Sequence, residues 1–300
     1  MNPNTRASTL LLALWALFLL SAAVLTWARW IDRNLEEAHE ASLALEARAL
    51  ARSGVTLALH PAIGAGSPLL KAETGYERSY EATLHGEGGK LNLGYLITGE
   101  DPGRIAVLRD YLALRGLDLQ ERERFIDCLL DWTDPNNVRR LNGQEEGPDY
   151  QPTNRPLSSL DEIPLIAGSE ALLSRYPDWE DDFTLLSQGP LDLEAAPAEL
   201  IALIPSIGQE RAEQFVRHRQ GGDGIDHTDD DAVFADIGQV IAALGMTQEQ
   251  FDSIRHLVAF HDPTVRVKST GLAGKVHRQV EVVARRVEGR PPEILLWTQP

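Results

Sequence analysis

From Ala7 to Ala28 the chain carries no charged residue, and that stretch limits every fold open to the other residues. It reads Thr9-Leu10-Leu11-Leu12-Ala13-Leu14-Trp15-Ala16-Leu17-Phe18-Leu19-Leu20, then Ser21-Ala22-Ala23-Val24-Leu25-Thr26-Trp27, with no Pro or Gly to interrupt it. Roughly 20 apolar residues at about 1.5 Å each cross a hydrocarbon core of about 30 Å. Helix formers continue from Ala28 to His60, so the spacing predicts one long helix over 8–60. Residues 8–28 would span a lipid bilayer, 1–7 would be a cytoplasmic leader, and the remainder would carry a domain outside the membrane. A cleaved signal peptide is the competing reading, since Arg6, Leu10 to Leu20 and Ser21-Ala22-Ala23 supply a basic start, an apolar core and small residues. Apolar residues that persist past Ala23 favour a retained helix.

Roughly 240 residues lie beyond that helix, enough for two modest cores. Hydrophobic content of 43% marks a folded chain, despite a net charge of −17. That charge disfavours nucleic acid, whose phosphates demand clustered Lys and Arg, and it suits divalent cations. The single cysteine allows no internal disulfide. Cys128 sits in Phe125-Ile126-Asp127-Cys128-Leu129-Leu130 and reads as a buried small hydrophobe, not a nucleophile.

Beyond Ile31 the helix becomes amphipathic, with Ile31, Leu35, Ala38, Leu45 and Ala49 expected to face a covering sheet. His60-Pro61 ends it, and Ala62 to Gly75 reads as loop. Alternation from Tyr76 to Leu84 predicts a strand, and Gly86-Glu87-Gly88-Gly89 a hairpin turn into Lys90-Leu91-Asn92-Leu93. Helix signals then dominate. Asp101-Pro102 opens one helix and Gly116 stops it; Asp118 with Glu121 forms a capping box for the next. Ser159 with Glu162, Ser169 to Tyr176, the pair Pro197 to Leu203 and Gln209 to Arg219, and Thr247 with Gln250 mark the others. After Pro263 the period returns to two over Val265 and Val267, Val276 to Val287 and Glu293 to Trp297. The expected class is α+β: a long N-terminal helix on a small antiparallel sheet (61–100 and 263–300), with an all-α domain inserted at 101–262.

Asp131-Trp132-Thr133-Asp134-Pro135-Asn136-Asn137, continuing to Gly143-Gln144-Glu145-Glu146-Gly147-Pro148-Asp149, is a long irregular segment dense in hard oxygen donors. Calcium takes six to eight such oxygens in flexible loops. The spacing is not that of an EF-hand, and from spacing alone a solvated acidic loop is the favoured reading over a metal site. Asp223, Asp226, Asp229, Asp230, Asp231 and Asp236 form a second acidic run, read as an exposed loop. Ile204-Pro205-Ser206-Ile207-Gly208 resembles a helix-hairpin-helix, but Glu210 and Glu213 flank it. No nucleophile–base set or metalloprotease spacing occurs, so the chain is not expected to be an enzyme and no catalytic residue is assigned.

Taken in order, several strings resemble the K-type minor pseudopilin of the bacterial type II (general) secretion pathway. These are Gly89-Lys90-Leu91-Asn92-Leu93, Asp131-Trp132-Thr133-Asp134-Pro135-Asn136, Gly143-Gln144-Glu145-Glu146, Asn154 to Ile163 and Leu191 to Leu200. The resemblance implies a pilin-like fold with a large helical insertion, at the tip of a short periplasmic pseudopilus. It also implies a single-pass protein of the bacterial inner membrane whose C-terminal domain lies in the periplasm. Implied partners are other minor pseudopilins, the inner-membrane secretion platform and exported proteins. The implied roles are starting the pseudopilus and capping it. Calcium is implied in the helical domain, with Asp131, Asp134, Asn136, Glu145, Glu146 and Asp149 as candidate ligands; the match is most direct at Asp131, Asp134 and Glu145. This type lacks the glutamate that other pseudopilins carry near the mature N-terminus, and Ser8 to Ala28 holds no acid. Relatives are cut after a glycine, where this chain has Arg6-Ala7-Ser8. The alternatives are a membrane-anchored DNA receptor built on the helix-hairpin-helix, and a secreted calcium-binding domain whose mature chain starts near Val24.

Overall fold

Helix α1 runs without a break from Pro3 to Ala58. The structure is a computed structural model that describes residues 3–226, 228, 230–287 and 289–299, with side chains from residue 11 onward. Among the described residues α1 is the one helix long and apolar enough to cross a membrane. The large apolar side chains from Leu11 to Trp30 are exposed, as lipid contact requires.

The chain continues through β1 (Lys71–Gly75) and β2 (Arg78–Gly86) into a buried turn, Glu87–Gly89. It then forms β3 (Leu91–Asn92), α2 (Leu93–Ile97), α3 (Pro102–Leu114) and α4 (Leu119–Thr133). A long loop and a 3-10 segment, Leu160–Leu165, lead to α5 (Glu170–Arg175), β4 (Phe183–Thr184), β5 (Leu191–Asp192) and α6 (Ala198–Ile201). The block closes with α7 (Gly208–Arg219), α8 (Ile237–Ala243), α9 (Gln248–Ile254) and β6 (Val258–Ala259). Three strands end the chain: β7 (Thr264–Ala273), β8 (Val276–Arg285) and β9 (Glu293–Thr298).

The main sheet has the order β1-β2-β7-β8-β9 and is antiparallel throughout. Strand β2 pairs with β7 from Arg78↔Ala273 to Gly86↔Val265. The whole helical block is therefore one excursion between two hydrogen-bonded neighbours. Caps explain its boundaries: the Asp101 carboxylate accepts from the Arg104 N–H at 3.0 Å, and both Asp118–Glu121 and Thr247–Gln250 form capping boxes. Two cores result. Ala51, Val55, Ala58, Leu84, Val267, Val280 and Val282 fill the space between α1 and the sheet. Tyr111, Phe125, Leu129, Phe183 and Phe215 centre the larger helical core.

The helix meets the sheet through small residues. A Cβ on Gly271 of β7 would lie 2.0 Å from the Ala47 carbonyl oxygen, and one on Gly54 would lie 2.3 Å from Ser269 Oγ. Ala47, Ala51, Val55 and Ala58 form the buried stripe. The expected stripe of Ile31, Leu35, Ala38, Leu45 and Ala49 is thus corrected: Leu35 and Leu45 remain 64% and 66% exposed. The sheet covers only the C-terminal part of α1, and the close approach at Gly271 leaves no room for leucines.

Other departures are local. Part of the expected 62–75 loop is β1, paired to β2 by its backbone although its side chains are mostly exposed. Gly86 to Gly89 is not a hairpin turn but a 3-10 turn packed into the joint, where a Cβ on Gly89 would lie 2.5 Å from the Ala195 carbonyl oxygen. Leu93 begins a helix, because the Asn92 side chain accepts from the Tyr95 N–H at 3.0 Å and caps it. Ser159 starts a 3-10 segment with Pro164 inside, not an α-helix. The 101–262 insert, expected to be all-α, contains the parallel two-residue ladder β5 with β6, and its strand β4 forms a second such ladder with β3, which lies in the 61–100 segment expected to be sheet.

Candidate metal centre

Helix α4 places Asp127 and Asp131 one turn apart on the face that meets the loop after it, and Asp134 caps its C-terminus. Asp131 is fully buried. The loop is built around these acids. Asp134 Oδ1 accepts from the Asn136 N–H at 3.0 Å, and Asn136 Oδ1 accepts from the Val138 N–H at 2.7 Å. Asp127 Oδ2 accepts from both the backbone and side-chain nitrogens of Asn142. A Cβ on Gly143 would lie 1.9 Å from Asp131 Oδ2, so only glycine lets the backbone lie flush over that carboxylate.

One cation stands in the middle. The Arg140 guanidinium donates through Nη1 to Asp131 Oδ1 at 2.7 Å and to Asp134 Oδ2 at 2.5 Å, and through Nη2 to Glu100 Oε1 at 2.6 Å. Its backbone N–H also reaches the Asp131 carboxylate, at 3.2 Å and 3.3 Å. Glu145 closes the group: Asp131, Asp134 and Glu145 bring one carboxylate oxygen each within 4.8 Å of one another. Both Glu145 oxygens are buried and make no hydrogen bond. Burial, then the charges of Asp131 and Asp134, push its carboxyl up, against the pull of Arg140.

Three of the six candidate ligands therefore converge, and three lie outside the group. Asn136 is exposed and its side-chain oxygen is taken by Val138. Glu146 and Asp149 are exposed, because the Gly147–Tyr150 bridge turns the chain away after Glu145. Tyr150 instead packs on Trp132 with ring centroids 5.7 Å apart. The Trp132 Nε1–H donates to Glu162 Oε2 at 3.1 Å, and Glu162 also accepts from the Ser158 N–H and hydroxyl. Asn154 to Glu162 thus anchors the back of the centre instead of donating to it. Arg140, Gly143 and Glu100 have roles that sequence reading did not assign. The one available signal was Arg139-Arg140 inside an otherwise acidic segment.

The remaining motifs are satisfied internally. In the second acidic run, Asp226 pairs with the buried Arg219 at 3.1 Å, Asp230 accepts from the Gly222 and Asp223 N–H groups, and Asp236 caps α8. Asp229 lies outside the described residues. Around Ile204 to Gly208 the cations needed for DNA are spent: Arg211 donates to the Ser206 carbonyl, Arg217 pairs with Glu213, and Arg219 is buried. Cys128 is buried with its thiol pushed up to about 11 by desolvation, which disarms it as a nucleophile.

Comparison with known proteins points in one direction. Residues 89–175 match the family model described as "Type II secretion system (T2SS), protein K". Among solved structures, a chain of the GspK-GspI-GspJ complex from the type 2 secretion system of enterotoxigenic Escherichia coli is similar, with a TM-score of 0.62 at 14% identity. The match covers 90% of this chain and 99% of that one, so the likeness extends over the whole fold. Comparison with curated protein sequences gives no match.

Proposed function

We propose that the chain belongs to the family of type II secretion system protein K, whose model it matches over residues 89–175, and that it is a non-enzymatic minor pseudopilin, starting and capping a pseudopilus for protein export. The observation that carries this reading is α1. Its bare first part suits storage in the inner membrane as a single-pass anchor, with the C-terminal domain in the periplasm. Past the lipid-length segment, Ile31, Leu35 and Leu45 are still exposed, and with Ala38 and Ala49 they recur at spacings of four, three, seven and four, with Ser42 at the intervening position. That period is a helix–helix seam, and nothing among the described residues covers it. The solved relative is a complex with two other proteins, GspI and GspJ. We take the occupants of the seam to be the helices of two other minor pseudopilins. The helical block, held outside the sheet between β2 and β7, gives the subunit the bulk that would stop another from adding above it. Contacts with the inner-membrane secretion platform and with exported proteins belong to the same reading.

Calcium belongs to this reading as well. The donor set fits it: three carboxylates converge, and two of their oxygens, both on Glu145, are buried with no partner. Asp131, Asp134 and Glu145 would hold the ion, and the ion would pin the long loop to the end of α4. The test is isolation of the full chain in detergent from membranes that also contain its two candidate partners. A stable three-protein complex, lost with Leu35→Glu and Leu45→Glu, supports the assembly role. A chain that purifies alone under every mild detergent contradicts it. Absence of calcium binding by calorimetry would remove the metal while leaving the assembly role.

A further inference from the structure

Arg140 Nη1 bridges one oxygen of Asp131 and one of Asp134 at 2.7 Å and 2.5 Å. Calcium contacts its oxygens at roughly 2.3–2.6 Å, so the nitrogen stands close to where an ion shared by the same two carboxylates would stand. We propose that Arg140 is the built-in cation of the centre, yielding its place to calcium and shifting onto Glu100 when the ion binds. The inference rests on the calcium reading above and names what regulates that site.

Three features support an exchange over co-occupancy. The ion and Nη1 need the same two oxygens, and two cations in contact with them would repel at short range. The guanidinium has a second partner in place, since Nη2 already donates to Glu100 Oε1 at 2.6 Å on the exposed rim. The backbone N–H of Arg140 keeps its own bonds to Asp131, so the side chain can leave without releasing the loop. The guanidinium makes no bond to Glu145, whose two oxygens are left for a larger charge. In this arrangement the loop folds around its own cation, and calcium later takes over with tighter coordination.

Calcium affinity of the full chain in detergent micelles, measured by titration calorimetry, and melting in chelator decide the matter. Arg140→Gln is expected to bind calcium about tenfold tighter than the parent, to melt lower in chelator, and to recover with calcium. Glu100→Gln, an exposed change that spares the core, is expected to weaken binding about threefold in the parent and to have no effect in the Arg140→Gln background. Equal or weaker binding by Arg140→Gln overturns the exchange and leaves the calcium reading standing. If Arg140→Gln does not fold, a Glu100→Gln affinity equal to the parent's overturns it. Should neither the parent nor any variant bind calcium, both readings fail together. Binding by Arg140→Gln alone supports the exchange in its strongest form.

Discussion

Glu87 is a fully buried acid at the joint between the sheet and the helical block, and its removal is expected to weaken that joint more than any surface change. Its Oε1 accepts from Arg266 Nη2 at 2.6 Å and from the Thr184 hydroxyl at 2.5 Å, and its Oε2 accepts from Arg266 Nε at 2.7 Å. One carboxylate thus joins the turn after β2, strand β7 and strand β4. Breaking a buried pair from one side costs about 3–5 kcal/mol, because the remaining charge is left without its partner. Arg266 keeps Glu281 as a second partner and is 17% exposed, so Glu87→Ala belongs at the low end, about 3 kcal/mol. Glu87→Gln keeps the shape and one acceptor and should cost about half as much. Urea unfolding of the full chain in micelles reads both. In the double variant with Arg266→Met the combined cost should fall well short of the sum, by about 1–3 kcal/mol. A loss under about 1 kcal/mol for Glu87→Ala, or strict additivity in the cycle, would refute this picture of the joint.

Three other outcomes are expected at particular residues. Burial opposes ionisation of Glu162, but the Ser158 hydroxyl and N–H, Trp132 and Arg155 outweigh it and hold its carboxyl down at about 2, against an ordinary 4.5. The depressed value means a contribution present above pH 4.5 and lost as the pH falls toward 2, in all about 3 kcal/mol, which Glu162→Gln should erase from the pH dependence of the urea midpoint. Gly271→Val drives a side chain into the Ala47 carbonyl and should cost about 3 kcal/mol or more, read as protease cleavage near the end of α1 at concentrations the parent survives. Glu145→Gln removes a disfavoured buried charge, so in chelator its melting temperature should rise by about 2 °C or more, while any calcium-induced rise disappears.

Much of this architecture could be read from the residues alone, and the misses share a cause. The unbroken helix, the capping boxes at Asp118 and Thr247, and the terminal strands are local signals, and each stands where the local chemistry put it. What the helix faces is not local. The sheet chose Ala47, Ala51 and Ala58 over the leucines because Gly271 brings two backbones together, and that closeness depends on a residue more than two hundred positions away. Strand β1 was hidden because its side chains are mostly exposed and only its backbone pairs with β2. In the acidic loop, composition pointed to oxygen donors but could not separate Glu145, turned inward, from Glu146 and Asp149, turned out by the Gly147–Tyr150 bridge. Arg140 was overlooked because a basic residue counts against a cation site until its guanidinium is seen bridging the acids.

Single cysteines placed along α1 test the central claim most directly, since the native Cys128 is buried and supplies little background. In membranes carrying the two partner proteins proposed above, cysteines at Leu35, Leu45 and Ala49 should cross-link to cysteines in the partner helices, whereas one at Ala47, under the sheet, should not. Cross-linking that is absent at all three positions, or equally frequent around the helix, would contradict the account.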